Sequence, residues 1–128
     1  MKISEMINYW FEGAEDDLKT AKSLFISKRY HHCLFFCHLF LEKIIKSLVV
    51  KKTKQQAPYV HNLVRLSELS GIEFSEEQLD LLAEITSFNI EARYNDYKRK
   101  FFKKATKEYT EGYFKRAKDI YLWLKRKL

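Results

Sequence analysis

The sequence predicts an all-α fold, a bundle of helices. Three observations predict it. Apolar residues recur at three- and four-residue spacing almost from end to end. The 128 residues include only three glycines and one proline, too few for the many turns of a sandwich or barrel. The breaks between periodic stretches are short, as between antiparallel neighbours in a bundle. A chain of this length is expected to form one domain, residues 1–128, able to bury a core. Its 16% aromatic content excludes a disordered chain. No run approaches the roughly 18 apolar residues of a membrane span. The acidic start, MKISEMINYWFEGAEDD, lacks a signal-peptide pattern, so a cytoplasmic protein is expected.

The first helix runs from about Ser4 to Phe25. Met6, Tyr9, Trp10, Gly13, Ala14, Asp17, Leu18, Ala21 and Leu24 share its broad inner face. Ser4 suits an N-cap, and Glu5 meets the positive end of the helix dipole. Ser27, Lys28 and Arg29 form a short break. The second helix spans about Tyr30 to Lys51, with Cys33, Cys37, Phe40, Leu41, Ile44, Ile45 and Leu48 as its inner stripe. So short a break predicts an antiparallel hairpin of the two.

Lys51 to Gln56 reads as a basic, polar loop closed by Pro58. A short third helix follows from His61 to Leu69, with Leu63, Leu66 and Leu69 inward and Gly71 ending it. Ser75 to Gln78 is a capping box. It opens a fourth helix that carries Leu79, Leu82, Ile85 and Phe88 to about Glu91. Ala92 to Ala105 is open: Arg93 to Tyr97 reads as a loop, and the Lys/Phe block after it fits helix or loop. Thr106 caps a last helix with Tyr109, Tyr113, Ala117, Ile120 and Leu124 inward. Five helices result, four of them long enough to be bundle members.

The charge is uneven. Arg93 to Leu128 carries 13 Lys and Arg against 4 Asp and Glu. Of the chain's 24 and 17, residues 1–92 keep 11 and 13. A basic end interleaved with Tyr and Phe suits phosphates or an acidic partner surface. A solvated helix face accounts for it equally well, since lysines complement a helix C-terminus.

Several chemistries are absent. There is no Gly-rich phosphate loop, no HExxH and no repeated CxxC. Cys33 and Cys37 share one helix face and read as small buried hydrophobes. No second ligand pair accompanies them, so neither a metal nor a cofactor is expected. All four histidines precede residue 62, which leaves the basic half without a general base. His38, Glu42 and Lys46 repeat at four-residue spacing and form one stripe. It reads as an ion-pair ladder, or as one wall of a groove facing a ligand or a second subunit. His61 with Asn62 reads as a helix start, with His61 also a candidate for that groove.

Together these pieces resemble the HEPN family, the nucleotide-binding domains of higher eukaryotes and prokaryotes. The resemblance rests on Trp10, Ala14, Asp17, Leu18 and Ala21, then on Tyr30, Cys33, Phe36 and His38. Glu42-Lys43 with Lys46, Pro58 with His61-Asn62-Leu63, and Glu91-Ala92-Arg93-Tyr94 complete it. It implies an up-and-down four-helix bundle with an additional short helix, forming a homodimer. Many members partner a minimal nucleotidyltransferase, some as toxin and antitoxin. In that subset the HEPN protein is a metal-independent ribonuclease, marked by an Arg followed after four to six residues by a His. Here Arg93 has Lys98, Arg99 and Lys100 where that His should stand. Lysine is a poor general base unless strongly desolvated.

The resemblance therefore implies a non-catalytic subunit that binds a nucleotide, RNA or other substrate and docks on a nucleotidyltransferase. Arg93, Lys98, Lys100, Lys103 and Lys104 are its phosphate candidates, and Tyr94 and Tyr97 its stacking candidates. Arg93 has a second reading, as the partner of Glu91, Asp96 or a helix-end carbonyl. Two alternatives remain: a ribonuclease toxin with a degenerate site, and a module that binds only protein.

Overall fold

The computed structural model describes residues 1–128 and is all-helical. The helices are α1 (Ile3–Ile26), α2 (Tyr30–Thr53), α3 (Leu63–Ser70), α4 (Glu76–Glu91), α5 (Asn95–Lys104) and α6 (Lys107–Lys125). No helix is long and apolar enough to cross a membrane.

The sequence of α2 sets its place. Ile44 to Val50 is buried on every side and apolar except for Lys46 and Ser47, and a helix buried all round belongs in the middle of a bundle. Accordingly α1, α3, α4 and α6 all pack against it. The expected inner stripe from Cys33 to Leu48 is buried throughout. The hairpin of α1 and α2 turns at Lys28, which adopts a left-handed conformation with φ 63°. Tyr121 of α6 is fully buried, meets Phe40 edge-on at 5.5 Å and donates its hydroxyl proton to Glu15 of α1. Lys125 reaches the same carboxylate at 3.0 Å, so one acid ties α1 to α6.

Several expected helix signals are present. Asn62 caps α3 by accepting from Arg65 N–H at 3.1 Å. Gly71 ends α3 at φ +70°, where a Cβ would stand 3.0 Å from Lys52 Cε. The Ser75–Gln78 capping box and the Thr106 cap both form.

Other expectations are corrected. Ser4 is not the N-cap of α1: Met6 N–H already bonds Lys2 O at 3.0 Å, so the helix starts before it. Tyr9 is exposed rather than inward. α2 continues past Lys51 to Thr53, and Lys54 closes it in a left-handed conformation. α3 begins at Leu63, two residues after His61. The largest change is α5, which raises the helix count from five to six. Only Ala92 to Tyr94 form the turn, and Asn95 to Lys104 is helical. Phe101 anchors it, buried with its ring 5.5 Å from that of Phe88.

Candidate functional site

Helix starts carry unpaired N–H groups, which a side chain usually caps. α3, α4 and α6 follow that rule. α1, α2 and α5 do not: Lys2, Arg29 and Tyr94 hold their N-cap positions without a side-chain cap. The starts of α2 and α5 lie together. Residues of both first turns line a single cleft of about 530 Å³.

From α2 come His31 and His32, their rings tilted by 37° with centroids 3.9 Å apart. From α5 come Asn95, Lys98, Arg99 and Phe102, a set at helical spacing that lies on one face. Ala92 and Phe101 complete the lining. His31 meets Phe102 edge-on at 5.0 Å. Burial, then the neighbouring charges of His32 and Arg29, push the His31 imidazole below its ordinary value, which favours the neutral ring. No carboxylate lines the cleft. Two permanent cations and two imidazoles thus line the cleft beside two helix starts without a side-chain cap.

A separate polar cluster lies inside the bundle. His38, Glu42 and Lys46 of α2 are all buried. Lys46 Nζ donates to Glu42 at 2.9 Å. His61 Nδ1 donates to the same carboxylate at 3.0 Å. His38 Nε2 donates to the His61 carbonyl at 2.8 Å, and its Nδ1 is buried without a partner. The stripe therefore fastens the Gln55–Asn62 connection to α2. Burial raises the Glu42 carboxyl, but the bond and charge of Lys46, the bond from His61 and the nearby His38 outweigh it and hold the group below its ordinary value. For His38 burial dominates and lowers the imidazole, helped by the charges of His61 and Arg93 and opposed by the His61 carbonyl and Glu42. Lys46 also faces a cavity of about 170 Å³, its Nζ 4.9 Å from the Trp10 ring centre, beside Pro58 and Tyr59.

The basic candidates separate. Lys98 lines the cleft. Lys104 bonds Glu91 at 3.1 Å. Lys100 and Lys103 are exposed and line no major cavity. Arg93 makes no ion pair and lies 5.9 Å from the Phe35 ring. Tyr94 and Tyr97 are exposed beside it. Sequence reasoning missed Asn95, Arg99 and Phe102, which the helical period of α5 would have grouped. It also placed the histidines apart from the basic half. Only the tertiary fold brings His31 and His32 to α5. Cys33 and Cys37 are buried free thiols, and burial pushes Cys37 up. No three His, Cys, Asp or Glu side chains converge as metal ligands.

The HEPN domain model matches residues 7–127. The crystal structure of TT1696 from Thermus thermophilus is similar, with a TM-score of 0.78 and 19% identity. The alignment covers 95% of this chain and 98% of that one, a likeness of fold. No curated protein sequence matches.

Proposed function

Because the chain belongs to the HEPN domain family, we propose that it is a non-catalytic, nucleotide- or RNA-binding subunit that pairs with a minimal nucleotidyltransferase. The partner supplies metal and triphosphate, and this chain holds the phosphate of the acceptor or nucleotide in the α2–α5 cleft. Two copies associate as a homodimer in this reading, as the family resemblance implies. The observation that carries it is the meeting of Lys98 and Arg99 with His31 and His32 over two uncapped helix starts. Arg forks onto phosphate oxygens and Lys adds a point charge. Phe102 offers an exposed ring on which a base can stack. A volume of about 530 Å³ falls within the range of small-molecule sites.

The test measures binding of a labelled single-stranded RNA by fluorescence anisotropy across salt. Affinity should fall steeply with salt, and Lys98→Ala or Arg99→Ala should each reduce the salt slope by about one. Salt-independent binding, or none, would contradict the reading. Shortening of the RNA in the same mixture would overturn its non-catalytic part. For the partner, a tagged pull-down from native cells should yield a stoichiometric small nucleotidyltransferase. Recovery of this chain alone would remove the pairing.

A further inference from the structure

The cleft carries more than its two permanent charges. The rings of His31 and His32 lie with centroids 3.9 Å apart, tilted by 37°. Two imidazolium rings that close repel each other, so the cleft by itself keeps at least one of them neutral. The charge of Arg29, just before them in the chain, adds to that effect. Lys98 and Arg99 line the same cleft from α5, Glu91 beside Ala92 is paired with Lys104, and Asp96 of α5 is exposed and outside the lining. The cleft is thus a cationic site holding a proton acceptor that an incoming anion helps to bring to charge.

Phosphate groups differ in how far they do this. A phosphodiester carries one negative charge. A terminal phosphomonoester carries about 1.5 to 2 at neutral pH, with a second ionisation near 6. The additional charge falls where the histidine pair stands. Resting on the phosphate-binding reading above, we propose that the cleft selects a terminal phosphomonoester over the phosphodiester backbone, and that the His31–His32 pair takes up one proton as the dianion binds.

Ala92 and the buried Phe101 line the cleft together with the first turns of α2 and α5. Phe102 stands beside His31 as a single platform, enough for the one base attached to that phosphate.

The experiment uses the whole protein and two competitors of a bound labelled RNA, adenosine 5′-monophosphate and the dinucleotide ApA. The monophosphate should displace the RNA at a concentration at least about tenfold lower, an advantage of about 1.4 kcal/mol. Its affinity should rise between about pH 8 and about pH 6.5, as the histidine range is entered. In His31→Asn/His32→Asn that rise should vanish and the preference shrink to less than about threefold. Circular dichroism checks that the variant folds, and Lys98→Ala serves as a second probe that weakens both competitors. Equal displacement by the two ligands would overturn the selectivity, and a preference or pH rise that survives in the double variant would overturn its assignment to the His31–His32 pair. Failure of RNA and monophosphate alike to bind the wild-type chain would instead overturn the phosphate-binding reading.

Discussion

The rings of His31 and Phe102 meet edge-on with centroids 5.0 Å apart, joining the first turn of α2 to the exposed face of α5. Residues far apart in sequence thereby share one cleft. Phe102 itself is 61% exposed, so its burial contributes little to the fold. Phe102→Ala should change stability by less than about 1 kcal/mol in a urea titration. The same variant should lose about 1–3 kcal/mol of affinity for adenosine 5′-monophosphate, the worth of one stacked base. An unchanged affinity would remove the stacking role.

Glu42 holds the buried cluster together, with Lys46 and His61 both donating to it. Glu42→Gln keeps the shape but leaves the Lys46 ammonium buried without its counter-charge. Breaking such a pair costs about 3–5 kcal/mol, which a shift in the urea midpoint would register. Replacing both partners, as Glu42→Leu/Lys46→Met, should recover most of the loss, because no charge is then stranded.

Stability should fall on the acid side in two stages of different origin. Folding holds His38 below its ordinary value of 6.5. Below that pH the unfolded chain binds a proton that the folded chain refuses, so stability drops as pH falls. His31 acts in the same sense. Glu42 is held below its ordinary 4.5, so its contribution is complete above that pH and is lost as pH falls further, through its lowered folded value. His38→Gln, whose amide can still reach the His61 carbonyl, should flatten the decline between about pH 6.5 and about pH 5 in urea midpoints. A slope unchanged from wild type would assign the decline elsewhere.

Tyr121 joins α6 to α1 through Glu15, and its ring fills the core beside Phe40. Tyr121→Phe keeps the ring and removes one bond to a carboxylate that Lys125 still holds, so it should cost about 1–2 kcal/mol. Tyr121→Ala also empties the core and should cost about 3–5 kcal/mol. Thermal melts of the two variants separate bond from packing.

The main helices were legible because their signals are local. The stripe from Cys33 to Leu48, the Ser75–Gln78 box, the Thr106 cap and Gly71 all act within one or two turns. α5 was ambiguous because its ten residues are strongly polar on average and Phe101 is the one it buries. The turn at Lys28 lacks the glycine that a left-handed residue would normally announce. The cleft was half legible. Lys98 belongs to a visible basic run, whereas His31 and His32 join it only through the packing of α2 against α5. The spacing of His38, Glu42 and Lys46 disclosed their stripe. Their third partner, His61, arrives from another part of the chain.

The most direct measurement is an amide chemical-shift titration of the isotope-labelled protein with adenosine 5′-monophosphate. The account predicts that the largest changes gather at His31, His32, Asn95, Lys98, Arg99 and Phe102, and that they weaken as salt rises. Changes gathered instead around Trp10, Lys46 and Tyr59, or no changes at saturating ligand, would contradict it.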